Sequence, residues 1–299
     1  RQPFFRAIIF PINQSERKSH QLKSKILAED QHILVCFKPP GLAVQSGRIG
    51  EPDMVSELKN YLGGRNPYLG LVHRLDQPVS GILVFAKTPQ AAAKLSQQAA
   101  AHGEAPQGGK NQTGKQKKNG NQKPGKEAIP SMEKGYMALV YTGTKRDGTA
   151  TEQIHQIQES VQEPGLDEER NEIRRKEIKL VDYLLRDVGQ NTSRVVKADI
   201  KGARRAELLY EVVEKKDRQA LVRIRLLTGR HHQIRVQFAN AGLPLLGDAR
   251  YGTEESREYS AEKGYGNICL CAFSLSFYHP ATGKRMDFQL EELPWIKNN

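Results

Sequence analysis

The run Ile82-Leu83-Val84-Phe85-Ala86 is apolar at every position. That is the pattern of a strand covered on both faces, not of one left half-open to water. Just before it the chain reads Leu71-Val72-His73-Arg74-Leu75-Asp76. An acid, an arginine and a histidine therefore crowd together at the mouth of a buried strand. A carboxylate there can lose solvent and still stay ionised beside a guanidinium. Such a group suits chemistry in which an acid attacks or stabilises an electron-poor carbon. The tetrapeptide alone selects no reaction.

At 299 residues the chain can bury a sizeable core, as one large domain or two small ones. Lys and Arg number 46 against 34 Asp and Glu, a net charge of +12 with a pI near 9.5. This surplus points first to nucleic acid and second to a membrane surface, with an ordinary basic enzyme as the plain alternative. No apolar run approaches membrane-spanning length, and the N-terminus lacks a signal-peptide core and cleavage site. The three cysteines, Cys36, Cys269 and Cys271, sit in apolar contexts and form no disulfide framework. They fit a reducing, cytoplasmic compartment. Cys269-Leu270-Cys271 lacks the spacing and second ligand pair of a zinc site, so it reads as strand core and no metal is expected.

Residues 1–20 read as a basic tail, and 21–297 as the folded domain. Ile26–Phe37 has the pattern of a strand, a Glu-Asp turn and a buried strand closed by Lys38-Pro39-Pro40-Gly41. Pro52–Leu62 is helical in pattern, with Val55, Leu58 and Leu62 on one face. Thr88 and Pro89 are an N-cap and first-turn proline for a helix over Gln90–Ala100. An insertion over about 101–133 interrupts the pattern. Within it, Gly108–Lys126 holds six lysines and no acid, and its composition predicts disorder. It supplies half the net charge, and it reads either as a phosphate-grazing arm or as a solvated insertion without a role.

Tyr136–Tyr141 reads as a strand. A second, charged insertion spans about 149–179, with a helix expected around Glu168–Lys176. Strands follow at Ser193–Val196, Ala206–Val213 and Ala220–Leu227. Thr228 is then expected to cap a helix running through Ala241, ended by Gly242 and Pro244. Ile268–Tyr278 and Arg285–Leu290 close the chain as strands. Many non-local strands with few helices predict an α+β fold with a mixed or antiparallel central sheet flanked by helices and loops.

On a helix starting near Arg230, Ile234, Phe238 and Ala241 share a core-facing stripe, and Arg235 edges toward the interior. A part-buried arginine needs an acid, and Asp76 is the candidate; a surface arginine with a buried stem is the alternative. Adjacent His231 and His232 on a helix would point about 100° apart and would not chelate a metal together. They read as structural or RNA-facing.

His73-Arg74-Leu75-Asp76 with Gly81–Lys87 resembles the catalytic signature of the RluA-type family of RNA pseudouridine synthases. Further blocks agree in order: Lys38-Pro39-Pro40-Gly41-Leu42, Tyr136-Met137-Ala138-Leu139-Val140, and Gly229-Arg230-His231-His232-Gln233-Ile234-Arg235-Val236. Pro244-Leu245-Leu246-Gly247-Asp248 and Phe277-Tyr278-His279-Pro280 match the closing blocks. The likeness spans roughly Ile26 to Pro294. His231 stands where Thr or Ser is usual.

The resemblance implies a pseudouridine synthase fold and isomerisation of specific uridines in ribosomal or transfer RNA, with no cofactor. It implies Asp76 as the catalytic aspartate, acting on ribose or pyrimidine or stabilising a glycal-like species. Tyr136 is implied to stack on the base, and Arg235 to pair with Asp76. Arg74 would fill the space of the flipped-out uridine, with His73, Arg230 and Leu270 also at the substrate site. RNA is the implied partner, bound by a monomer. Many relatives carry an N-terminal S4 RNA-binding domain, which is not expected in the 25 residues before Ile26. The alternative is a catalytically silent RNA-binding protein of the same fold, which would be expected to lack Asp76, Tyr136 or Arg235. An unrelated hydrolase would need a nucleophile elbow or metal cluster that the sequence does not show.

Overall fold

The computed structural model describes residues 22–48, 50–101, 131–143, 165–167, 172–174 and 176–295. The basic tail, the lysine tract and most of the charged insertion lie outside these residues. In chain order the elements are β1 (Lys25–Glu29), β2 (Ile33–Lys38), α1 (Met54–Leu62), β3 (Gly70–Leu71), β4 (Ser80–Ala86), α2 (Pro89–Ala100) and β5 (Glu133–Tyr141). Next come β6 (Gly165–Asp167), β7 (Glu172–Arg174), β8 (Ile178–Asp187), β9 (Thr192–Val196), β10 (Arg204–Lys216) and β11 (Gln219–Leu226). The last are α3 (Gln233–Asn240), α4 (Glu254–Glu262), β12 (Leu270–Tyr278) and β13 (Arg285–Gln289).

Among the described residues eleven strands build one sheet in the order β1-β2-β4-β12-β5-β11-β10-β8-β9, with β3 added beside β4 and β13 beside β12. Every pairing is antiparallel except β12 with β4. The expected α+β class with a mixed sheet is what forms. None of the described helices is long and apolar enough to cross a membrane.

The apolar run in β4 is buried throughout because its residues alternate between two cores. Leu83 and Phe85 join Met54 and Leu58 of α1 and Ile234 and Phe238 of α3 on one face. Ile82 and Val84 join Ala91 and Leu95 of α2 on the other. Helices α1 and α2 start as their caps dictate. Asp53 accepts the N–H of Ser56 at 2.8 Å, and Thr88 accepts that of Ala91 at 3.2 Å behind Pro89. The buried face of α1 is Met54, Leu58 and Tyr61, one position round from the expected Val55–Leu58–Leu62 stripe.

Two expectations fail between β5 and β9. The expected helix around Glu168–Lys176 is not there, since Glu172–Arg174 is a strand paired with β6. A strand also begins inside the expected end of the charged insertion. Lys179 lies inside the ten-residue strand β8, which pairs with β10 from Ile178 to Leu184. Pairing with β10 overrides the mixed-charge character of the segment.

The parallel contact between β4 and β12 matches Ser80 with Cys271 and Gly81 with Ala272. Gly81 has φ +139°, and a Cβ there would lie 2.5 Å from the backbone N and O of Ala272. Gly81→Ala should therefore destabilise the fold by about 3 kcal/mol, through combined backbone strain and overlap. Urea denaturation should show a lower midpoint with an unchanged slope.

Candidate active site

A cleft of about 900 Å³ opens where the loop after β3 meets β5 and the turn before α3, and it includes all seven expected site residues. These are His73, Arg74, Asp76, Tyr136, Arg230, Arg235 and Leu270. Exposed Arg186 and Arg250 add positive charge to its walls, and Arg48 lines it paired with Glu51 at 3.0 Å.

Arg235 is the organising side chain. It is 5 % exposed and projects from the first turn of α3. Its Nε and Nη2 donate to Asp248 at 2.8 and 2.7 Å, a two-pronged fit of guanidinium to carboxylate. Its Nη1 reaches Asp76 Oδ2 at 3.5 Å. Asp76 is thus Arg235's second, looser partner, and buried Asp248 is the first. Asp248 also accepts the backbone N–H groups of Arg250 and Tyr251. Burial acts to lower the pKa of Arg235, but the Asp248 and Asp76 carboxylates overcome it and hold it above the usual value. The Tyr251 ring lies under the guanidinium at 4.9 Å.

Asp76 keeps 28 % of its side chain exposed and faces the cleft. Tyr136 projects from β5 into the same cleft, almost wholly buried. Burial first, and Asp76 second, push its phenol above the ordinary value, so it stays protonated. His73 lines the same cleft. Burial and then nearby Lys134 hold its pKa well below the usual value, and its Nε2 meets the Val84 N–H at a long 3.5 Å. The ring is therefore a neutral part of the wall. Arg74 and Arg230 are exposed at the rim. Arg230 Nε donates to the Arg205 carbonyl at 3.0 Å, and among the described residues Arg74 makes only a long 3.5 Å contact to the Gln45 carbonyl.

The turn before α3 departs from expectation. Thr228 does not cap a helix; α3 begins only at Gln233. The Gln233 side chain ties the turn down, taking the Thr228 hydroxyl proton at 2.8 Å and the Arg230 N–H at 2.9 Å while donating to the Glu207 carbonyl. His231 and His232 are therefore not helical neighbours splayed apart. His232 is left-handed, with φ 56°, and the two rings stack with centroids 3.7 Å apart.

Three residues matter here that sequence reading did not place. The role of Asp248 was hidden inside a matching block. Lys38 is fully buried, and its Nζ donates to the carbonyls of Pro39, Leu42 and Gln77. It clasps the Lys-Pro-Pro-Gly turn to the residue after Asp76. Lys134 lines the cleft with no ion-pair partner among the described residues. Its signal was available, since it stands two residues before Tyr136 on one strand and so shares its face. Burial lowers both lysines to about 8, in Lys38 against the pull of Asp76.

Asp248→Asn should cost about 3 kcal/mol in urea denaturation, because Arg235 would stay buried without its compensating charge. The lysines predict a pH effect. Between pH 8 and about 10 the unfolded chain binds protons that folded Lys38 and Lys134 refuse, so their contribution to stability rises with pH. Lys134→Met should flatten the rise in urea midpoint from pH 8 to pH 10. An equal rise in wild type and variant would show that Lys134 does not contribute to it.

The family model described as RNA pseudouridylate synthase matches residues 32–105 and 127–240. Ribosomal large subunit pseudouridine synthase C of Escherichia coli K12 is 32 % identical over 272 residues, covering 90 % of this chain and 67 % of the relative. The protein of the same name from Yersinia pestis is 29 % identical over 286 residues, covering 92 % and 71 %. Among solved structures, human RNA Pseudouridylate Synthase Domain Containing 4 superposes with a TM-score of 0.58 at 19 % identity, covering 90 % of this chain and 88 % of that one. Human RNA Pseudouridylate Synthase Domain Containing 1 gives 0.57 at 18 %, covering 90 % and 83 %. These two show the shared fold. On the family model and these sequence relatives, this chain belongs to the RNA pseudouridylate synthase family as an RluA-type member, an isomerase that forms pseudouridine in RNA.

Proposed function

We propose that this enzyme isomerises a uridine of ribosomal RNA, with Asp76 as the reacting carboxylate. One observation carries the reading: Asp76 faces the cationic cleft while touching a buried arginine that a second carboxylate locks in place. The names of the relatives, which specify the large ribosomal subunit, support the choice of RNA.

The chemistry follows from the placement. A carboxylate beside the electron-deficient C1′ of a nucleoside can assist opening of its bond to N1. Whether Asp76 bonds covalently to ribose or pyrimidine or steadies a glycal-like species, the net change is the same. The N1–C1′ bond breaks, the uracil turns and C5 bonds to C1′; C5 then gives up its proton and N1, freed from the ribose, takes one up. No atom is gained or lost. Arg235 aims the Asp76 carboxylate, and Tyr136 offers a protonated aromatic face against which the base stacks.

A uridine inside folded RNA must leave its stack to reach Asp76. Arg74, long and exposed at the rim, fills the vacated space, while Arg230, His73 and Leu270 shape the site. Arg186 and Arg250 attract the phosphates around it. In this reading residues 21–297 form one catalytic domain carrying the two insertions behind a basic tail. It acts as a monomer in the cytoplasm, a reducing compartment that suits its three free, buried thiols.

Carbodiimide mapping of pseudouridine in ribosomal and transfer RNA tests this, comparing cells lacking the protein with cells complemented by wild type or Asp76→Asn. A signal in large-subunit ribosomal RNA should vanish without the protein, return with wild type and stay absent with Asp76→Asn. Restoration by Asp76→Asn would overturn the role of Asp76. A loss confined to transfer RNA would overturn the choice of RNA.

A further inference from the structure

We propose that His232 is a positioning residue for Asp76, locked by Tyr251 in the tautomer that turns an N–H toward the carboxylate. The inference rests on Asp76 being the reacting group.

The lock can be followed proton by proton. The backbone N–H of Ser193 donates to Tyr251 Oη at 2.9 Å, so that oxygen already serves as an acceptor. The phenolic O–H has one partner among the described residues, His232 Nδ1 at 2.7 Å. Burial raises the Tyr251 pKa, so the phenol keeps its proton to give. Nδ1 is therefore an acceptor, and a neutral imidazole must carry its hydrogen on the other nitrogen. That nitrogen, Nε2, faces Asp76 Oδ2 at 3.6 Å. The ring is neutral near pH 7: burial first, then Arg235, His231 and Arg250, lower its pKa to about 4 against the pull of Asp76.

The backbone is bent to make this contact. His232 adopts φ 56° and ψ 23°, a left-handed conformation uncommon for a residue with a side chain, and such outliers gather at functional sites. Its ring is held between two others. His231 stacks on it at 3.7 Å, and Tyr251 meets it edge-on at 5.6 Å. The His231 ring is fixed in turn by Ser193 Oγ at 2.9 Å and Asn191 Oδ1 at 3.2 Å. The β8–β9 hairpin thus holds both histidines against the site.

Asp76 then lies between two donors of different kinds. Arg235 supplies charge at 3.5 Å, and His232 supplies a neutral N–H at 3.6 Å on the same oxygen, Oδ2. Both distances exceed a formed hydrogen bond, and closing them takes a shift of about half an ångström, as sites commonly tighten on substrate. The other oxygen, Oδ1, has no hydrogen-bond donor among the described residues and is left for the nucleoside.

Two variants test the lock. Tyr251→Phe keeps the ring beneath Arg235 and removes only the hydroxyl. His232→Asn removes the imidazole with a residue that tolerates a left-handed backbone. In the wild type at pH 7, nitrogen-15 correlation spectra of the histidine rings should show His232 protonated on Nε2. Tyr251→Phe should add the Nδ1–H form. On a transcript of large-subunit ribosomal RNA, both variants should lower kcat roughly tenfold, about the worth of one charge-assisted hydrogen bond, with KM within about twofold. An Nδ1–H ring in the wild type overturns the lock, as does unchanged kcat in both variants. Lost activity that follows a lowered melting temperature, with the tautomer unmoved, also overturns it and assigns Tyr251 a purely structural role. Full turnover by Asp76→Asn would instead refute the reading of Asp76, which the tautomer spectra do not depend on.

Discussion

The buried pair of Arg235 and Asp248 is the contact around which the cleft is arranged. A guanidinium inside a protein is costly unless its hydrogens and its charge are both met. Asp248 meets two of the hydrogens at 2.7 and 2.8 Å and balances the charge, while backbone N–H groups steady its own carboxylate. That frees the third guanidinium nitrogen to face Asp76 without tying Asp76 into a closed ion pair. With Asp248 as the tight partner, Asp76 keeps over a quarter of its side chain open.

The loop bearing Asp76 is held from below by a different device. Lys38 reaches from the end of β2 and gathers three carbonyls, one belonging to Gln77 next to Asp76. A buried ammonium is a strong donor set that leaves almost no freedom to the turns it joins. Gly41 N–H adds a bond to the same Gln77 carbonyl, and Gln77 returns one to Gly41. The Lys-Pro-Pro-Gly turn and the loop carrying Asp76 are therefore one unit, fixed to the sheet where β4 crosses to β12 through Gly81.

The fold was legible wherever short-range pattern decides structure. The apolar run of β4, the Thr88 cap and the strands β10 and β11 all rest on patterns within a few residues, and all are legible in the chain, whereas the Asp53 cap shows only in the structure. Expectation failed where a distant partner overrides the local pattern. Lys179 looks like part of a charged insertion until β10 pairs with β8. Thr228 looks like a cap until the Gln233 side chain takes its hydroxyl and the helix starts five residues later.

The same division runs through the site. Asp76, Tyr136 and Arg235 could be chosen from the chain because each lies in a block whose order and spacing resemble a known family. Which of them touch, and through which atoms, was decided by closure of the sheet. Arg235 and Asp76 are 159 positions apart, and Lys38 and Gln77 are 39 apart. The direction of the His232 proton depends on Ser193 and Tyr251, which come from separate segments. A sequence carries residue types and local conformational bias, so it names the groups able to do chemistry. Hydrogen bonds and ion pairs act over a few ångströms, so the tight partner of Arg235, the clasp of Lys38 and the tautomer of His232 exist only once the fold brings those atoms together.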